Sequence, residues 1–309
     1  MARVSVIVAA KNAEATLQST LTSIANQTYT DWEVVLVDDG STDSTRTIAE
    51  RFDGPITVHV NATSRGPSSA RNTAVEHASG ELVAMLDADD EWKPEFLRRL
   101  VGAYDGLVAA GRSVGLLSSD AELRGAGGPS RESYLRWVGF KAPVTMDRLL
   151  VNNILPSIVV CPRAVFVEVG GYDDGVRHGE DHDLALRVLE AGYEIHVVDE
   201  VLATYRFRAD AASADTVRLA SGEARVYDLA LQRDRLTPRQ RRIARRQRRL
   251  YRAVAARAAI AAIALEGRPT FFARVRMIPV TVRVVLTHPE RWLKWLRRGV
   301  RDPGPSRHA

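Results

Sequence analysis

Leu82-Val83-Ala84-Met85-Leu86-Asp87-Ala88-Asp89-Asp90 decides how the chain is read. Five apolar residues run straight into three carboxylates. The apolar run has the composition of a short strand buried on both faces, as in a parallel sheet. Side chains at i and i+2 of a strand share a face, so Asp87 and Asp89 are expected to project together, about 7 Å apart. Two carboxylates that close repel unless a cation sits between them. Hard oxygen ligands of this kind suit Mg²⁺ or Mn²⁺. Taken alone, the same residues also read as a strand followed by an acidic turn and a helix cap.

The segments before this stretch repeat its pattern. Val4–Ala9 reads as a strand that ends in Lys11-Asn12 and leads to a helix near 14–26, with Leu17, Leu21 and Ile24 at helical spacing. Glu33–Val37 is a second strand, ending in Asp38-Asp39-Gly40-Ser41-Thr42-Asp43, where Ser41 or Asp43 can cap the next helix. Ile56–Val60 is a third, followed by a helix from about Ser68 to Ala78. Strand–helix alternation at this spacing predicts right-handed crossovers and a mostly parallel sheet with helices on both faces. Ligands of such sheets lie beyond the carboxyl ends of the strands. Lys11-Asn12, Asp38-Asp39 and Asp87-x-Asp89 are therefore expected to share one crevice. No Gly-x-Gly-x-x-Gly follows the first strand, which argues against a dinucleotide fingerprint.

Farther on, a helix is expected over 94–104 and a strand over 114–119, then a Gly-, Pro-, Ser- and Arg-rich loop from Gly125 to Met146. Gly179-Glu180-Asp181-His182-Asp183 opens a helix that Gly192 ends, and two strands follow over 195–198 and 201–205.

With 309 residues the chain is long enough for one large domain plus an extension. Its single cysteine, Cys161, excludes an internal disulfide and fits a reducing compartment. The N-terminus shows no apolar h-region, and no apolar run approaches the roughly 20 residues that span a bilayer. A cytoplasmic location is expected. The net charge of +5 conceals a split. Residues 1–214 hold 20 Lys/Arg and 31 Asp/Glu, a net of −11; residues 215–309 hold 23 and 7, a net of +16. An acidic part able to hold a cation and a basic part able to meet an anionic surface imply two tasks.

Six motifs in order complete the picture: Val4-Ser-Val-Ile-Val-Ala-Ala-Lys-Asn12, Val37-Asp-Asp-Gly-Ser-Thr-Asp43, Ala70-Arg-Asn72, Asp87-Ala-Asp-Asp90, Gly170-Gly-Tyr-Asp173 and Glu180-Asp-His-Asp-Leu184. Over roughly residues 3–215 the chain resembles the family 2 glycosyltransferases. The resemblance implies a GT-A (Rossmann-like) α/β fold and an inverting transferase that uses a nucleotide-diphosphate sugar. It implies a catalytic unit over 1–214, with a nucleotide-sugar half to about 105 and an acceptor half beyond. The remainder, 215–309, is expected to be a basic amphipathic helical extension.

The resemblance also suggests roles. Asp38 and Asp39 match the acidic pair that binds the donor nucleotide, Arg71 the guanidinium that contacts the donor, and Lys11 a weaker donor contact. Asp87 and Asp89 match the DXD motif, with Asp89 as chief ligand of Mn²⁺ or Mg²⁺ and Asp90 orienting its neighbours or capping a helix. Asp181 matches the catalytic base, with Glu180 as runner-up. A helix N-terminus favours the ionised form that a base requires, and it equally allows all three acids of this turn to be simple dipole partners. Asp43 reads as a cap; His178 and His182 carry no role. Many relatives of this kind have Tyr-Arg-x-His after the last strand. Here Tyr205-Arg206-Phe207-Arg208 puts an arginine there, which cannot ligate a metal.

From Thr237 to Leu265 the chain is expected to be helical, with Leu236, Ile243 and Leu250 recurring at seven and arginines on the other faces. Residues 277–300 mix Trp292 and Trp295 with Arg and Lys. Such segments suit the inner face of an anionic membrane, or pack on the catalytic domain with a solvated basic face. Nucleic acid is not expected as a partner, because no known motif accompanies the basic run. The expected reaction is transfer of one sugar from a UDP-, GDP- or dTDP-sugar to a lipid-linked or cell-envelope glycan. The competing readings are a sugar nucleotidyltransferase, which the short Ala9–Ala13 loop disfavours, and a non-catalytic basic binding protein on a transferase scaffold.

Overall fold

The computed structural model describes residues 2–125, 128–206 and 215–265. Arg208 and the segment 277–300 lie outside these.

The first half alternates as its sequence predicts. Strands β1 (Val4–Ala10), β2 (Trp32–Asp38), β3 (Ile56–Val60) and β4 (Leu82–Met85) are separated by helices α1 (Leu17–Ala25), α2 (Thr45–Glu50) and α3 (Pro67–Glu76). β5 (Glu91–Trp92), α4 (Phe96–Ala109), β6 (Val114–Gly125), β7 (Gly128–Ser133), α5 (Tyr134–Val138) and α6 (Met146–Val151) follow. Next come β8 (Val159–Pro162), α7 (Arg163–Glu168), α8 (Glu180–Glu190), β9 (Glu194–Arg206), α9 (Thr216–Gln232) and α10 (Pro238–Leu265).

All the strands join one sheet in the order β3-β2-β1-β4-β8-β6-β9-β5, with β7 paired to β6. β1, β2, β3 and β4 are parallel; β1, β2 and β4 are largely apolar and buried and form the deepest part of the core, while β3 lies half-exposed at the sheet edge. Beyond β4 the sheet is mixed: β8 runs antiparallel to both β4 and β6, whereas β9 is parallel to β6. The chain winds from β1 outward to β3, then returns to place β4 on the other side of β1. That reversal opens a crevice beyond the carboxyl ends of β1 and β4. In register, Ala10 lies opposite Asp38 and Ile7 opposite Met85, so the three polar strand ends do converge.

Three local outcomes differ from expectation. The stretch 125–146 contains ordered structure: Ser133 caps α5 by accepting from the Arg136 N–H at 3.1 Å, and Tyr134 and Leu135 bury themselves against the sheet. The two expected late strands are one, β9. Helix α9 lies within the span expected to be a basic helical extension, but its inner face is buried. It is capped by Asp215, which accepts from the N–H groups of Val217 and Arg218, and it buries Ala220, Glu223, Ala224, Val226, Tyr227 and Ala230.

Helix α10 packs along α9. Tyr251 stacks on Tyr227 with ring centres 5.8 Å apart, and Arg248 and Arg252 both bind Asp228, at 3.0 and 2.8 Å. Among the described residues no helix is long and apolar enough to cross a membrane.

Candidate active site

The crevice is built from loops tied to one another rather than left to solvent. Asn12, in the left-handed region at φ 49°, donates its N–H to Ser41 Oγ at 2.9 Å. Its Oδ1 accepts from the Thr42 N–H. Asp43 accepts from the Thr45 N–H as a turn cap and also from the Glu14 N–H. The loops after β1 and β2 therefore form one rim, with Lys11 exposed on it.

Asp38 and Asp39 sit beneath that rim, 2% and 3% exposed. Asp38 Oδ1 accepts the Ser41 N–H. Asp39 accepts from Asn61 Nδ2 at 2.7 Å, Ser64 Oγ at 2.6 Å, and the N–H groups of Arg65 and Gly66 at 2.9 and 2.8 Å. Burial pushes the Asp39 carboxyl up, but these hydrogen bonds outweigh it and hold it below the ordinary range. A carboxylate has about four lone-pair sites, so Asp39 is saturated by the segment that leads into α3. It fixes the approach to the helix that carries Arg71.

The acidic end of β4 is gripped from α1. Thr16 Oγ1 donates to the Ala88 carbonyl at 2.8 Å, and Thr20 Oγ1 lies 3.0 Å from the same carbonyl and 2.8 Å from that of Asp90. Asp90 is 1% exposed; its Oδ1 accepts the Arg206 N–H at 2.9 Å, and its Oδ2 has no partner among the described residues. Burial first, then the charges of Asp87 and Asp89, push its carboxyl well above the usual range. Asp87 and Asp89 are thus close enough to act on one buried neighbour, while staying partly accessible themselves.

Arg71 joins the two halves of the crevice. Its guanidinium donates to Asp87 through one terminal nitrogen and to Glu180 at 2.9 Å through the other, and it lies 5.4 Å from the centre of the Tyr172 ring. Burial works against its charge, but Asp87 and Glu180 hold its pKa well above the ordinary value. Glu180 is pushed up by burial and by Asp181, with Arg71 pulling the other way. The next residue, Asn72, clasps Tyr172 on both sides. Its Oδ1 accepts the Tyr172 N–H at 2.9 Å and its Nδ2 donates to the Tyr172 carbonyl at 2.8 Å. Gly171, at φ +61°, is needed there, because a Cβ would stand 2.7 Å from Asn72 Oδ1. The motifs Ala70–Asn72, Gly170–Asp173 and Glu180–Leu184, far apart in sequence, are one assembly.

Asp181 lies in the first turn of α8. Its Oδ2 accepts from Asn153 Nδ2 at 3.1 Å, and its Oδ1 accepts the His182 N–H at 2.8 Å. The turn is anchored from behind by α9. His182 and Glu223, both fully buried, pair at 2.9 Å, and His182 Nε2 reaches the Leu149 carbonyl at 2.9 Å. Asp183 binds Arg187 and Arg233, each at 2.8 Å. At Gly222 a Cβ would meet the His178 carbonyl oxygen at 2.3 Å, so α9 comes as close to this turn as backbone allows.

The structure thus brings Arg71, Asp87, Glu180 and Asp181 into one linked group, with Asp89 beside Asp87. Asp38, Asp39 and Lys11 lie at the neighbouring strand ends. Thr16, Thr20, Asn153 and Glu223 are supports that sequence reading missed; only the i, i+4 spacing of the two threonines was a visible signal. As to metal, no group of three or more His, Cys, Asp or Glu side chains among the described residues is placed to hold an ion unaided. Asp87 and Asp89 do fit a shared divalent site, because Mg²⁺-like ions commonly take one or two carboxylates and complete their shell with substrate phosphates and water.

Residues 5–143 match the family model "Glycosyl transferase family 2". The chain belongs to glycosyltransferase family 2. It is 30% identical over 231 residues to TuaG of Bacillus subtilis (strain 168), whose name assigns it provisionally as a teichuronic acid biosynthesis glycosyltransferase. That match covers 72% of this chain and 86% of the relative. A shorter match, 42% identical over 90 residues, covers 29% of this chain and 36% of the Escherichia coli UDP-Glc:alpha-D-GlcNAc-diphosphoundecaprenol beta-1,3-glucosyltransferase WfgD. In fold the chain is similar to the mannosyltransferase PcManGT of Pyrobaculum calidifontis, solved with GDP-Man and Mn2+. There the TM-score is 0.65 at 23% identity, over 96% of this chain and 83% of that one. It is likewise similar to S. aureus TarS solved with UDP-GlcNAc, with TM-score 0.60 at 19% identity, over 96% of this chain and 92% of that one.

Proposed function

We propose that the protein is an inverting, metal-dependent transferase that moves one sugar from a nucleotide-diphosphate sugar to a hydroxyl of a lipid-linked or cell-envelope glycan. The observation that carries it is the Arg71 bridge, which sets the Asp87 strand end and the Asp181 helix turn on opposite sides of one crevice. Relatives named for cell-envelope glycans and for a diphosphoundecaprenol acceptor support the acceptor class.

Asp38, Asp39 and Lys11 would form the nucleotide end, with Asp39 acting mainly by shaping the loop over it. Arg71 and Asp87 would meet the diphosphate. Asp87 and Asp89 would hold Mn²⁺ or Mg²⁺, which supplies positive charge to the leaving diphosphate when bound. Asp181 accepts the acceptor hydroxyl's proton as that oxygen bonds to the anomeric carbon and the bond to the diphosphate oxygen breaks. Asn153 and the His182 N–H aim its carboxylate. Residues 1–214 would be the catalytic unit. The exposed arginines Arg242, Arg245, Arg246 and Arg249 of α10, within a basic stretch over 236–300, would rest on the anionic inner face of a membrane.

A thermal-shift panel of UDP, GDP and dTDP, each with and without Mn²⁺ or Mg²⁺, tests the donor half. At 100 times its dissociation constant the correct nucleotide adds about 2.7 kcal/mol of stability. No shift with any of them would overturn the reading.

A further inference from the structure

A cavity of about 400 Å³ opens between α5, α6 and α10, behind the Asp181 turn. That size lies within the range of about 300–1,000 Å³ usual for small-ligand sites. Val138, Val151, Ile154 and Ile243 give it apolar walls. Lys141, Arg148 and Arg239 line it as cations. The single acid there, Asp147, is already matched by Arg239 at 3.2 Å and by Gln240 at 3.0 Å. Arg148 is held in place by the carbonyls of Lys141 and Pro143, at 2.6 and 2.7 Å. The cavity therefore combines apolar walls with an excess of positive charge, of which Arg148 is held in place.

Its relation to the reacting centre is set by two consecutive asparagines. Asn152 is extended, at φ −160° and ψ 142°, so it and Asn153 project to opposite sides of the chain. Asn153 holds Asp181, and Asn152 lines the cavity. Asn152 is 7% exposed, and its Oδ1 is a buried acceptor with no donor among the described residues. Such an orphan is costly unless a ligand or water supplies the missing N–H or O–H.

We propose that this cavity binds the lipid-phosphate end of the acceptor. The first part of an apolar chain lies against Val138, Val151, Ile154 and Ile243. Its phosphate or diphosphate lies at Lys141, Arg148 and Arg239, and a headgroup hydroxyl satisfies Asn152. The acceptor's lipid-phosphate end and the Asp181 carboxylate are then served by adjacent residues, Asn152 and Asn153. The proposal rests on the transferase reading above and adds where, and by what chemistry, the acceptor is held.

Calorimetric titration of the full chain with farnesyl diphosphate, inorganic pyrophosphate and farnesol tests it. Val151, 44% exposed, and Lys141, on the surface, can be changed without disturbing the core. Farnesyl diphosphate is expected to bind at least tenfold more tightly than either fragment. Val151→Glu and Lys141→Glu should each weaken it tenfold or more, and leave the thermal shift from nucleoside diphosphates unchanged. Equal binding of pyrophosphate and farnesyl diphosphate would overturn the proposal, as would indifference to both substitutions. No farnesyl diphosphate binding by a chain that still responds to a nucleoside diphosphate would overturn it while sparing the transferase reading. Farnesyl diphosphate binding with the expected mutant losses, but no nucleotide response, would support the cavity and count against the donor reading.

Discussion

Replacing Glu223 tests whether α9 holds the turn that carries Asp181. His182 Nε2 faces a carbonyl oxygen, which only accepts, so that nitrogen carries a proton. Nδ1 faces Glu223, and the pair shares the remaining proton in a fully buried space. Glu223→Gln keeps the arrangement neutral and intact, because the amide can donate to Nδ1. It is expected to cost less than about 1 kcal/mol. Glu223→Leu fills similar volume but strands Nδ1. An unsatisfied buried group costs about 1–3 kcal/mol, and a broken buried ion pair about 3–5. A central loss of about 3 kcal/mol corresponds to a fall in Tm of roughly 5 °C at this size. The disturbance should reach Asp181, whose Oδ1 accepts the His182 N–H, and lower kcat about tenfold well below Tm. Nucleotide affinity, set at the far strand ends, should not change. Paired thermal melts and transfer assays measure both effects. A Glu223→Leu protein that melts within 2 °C of wild type, or a Glu223→Gln protein equally damaged, would refute the reasoning.

Three further outcomes are expected. Thr20→Val keeps shape but removes the hydroxyl shared between the Ala88 and Asp90 carbonyls; it should cost about 1 kcal/mol and weaken nucleotide–Mn²⁺ binding several-fold by calorimetry. Arg71→Met leaves Asp87 and Glu180 without their cation and should cost about 3–5 kcal/mol in urea unfolding, with a loss under about 1 kcal/mol counting against the bridge. Asp39, with its folded pKa below the unfolded one, contributes stability that is complete above about pH 4, the unfolded value, and disappears as pH falls through the folded value. Asp39→Asn should therefore flatten part of the acid limb of a stability–pH curve; an unchanged acid limb would show that Asp39 is not held as described.

The parallel half was legible because β1, β2 and β4 are buried on both faces and read as largely apolar runs that end in polar residues. The mixed half was not. β8 is a four-residue apolar run, too short for periodicity to distinguish strand from helix. Helix α9 carries a mid-helix glycine and a buried glutamate on its inner face, and both break an apolar stripe. They are there for tertiary reasons: Gly222 admits the His178 backbone and Glu223 pairs with His182. At the site, residue types and spacing pointed to Asp87 and Asp89, and the family resemblance to Arg71 and Asp181, but neither showed their mutual wiring. Nothing in the sequence shows that Arg71 spans to Glu180, 109 positions away, or that Asp39 is saturated by the 61–66 loop. Those links depend on chain crossings that only the folded sheet creates.

The central claim is that Asp181 takes the proton from the acceptor hydroxyl. Asp181→Asn keeps the size of the side chain but removes the base, and its amide oxygen can accept from only one of Asn153 and the His182 N–H; sugar transfer with the responding donor should fall by about 10²–10⁴-fold. The nucleotide-induced thermal shift should stay at the wild-type value. Transfer by Asp181→Asn at close to the wild-type rate would contradict the account.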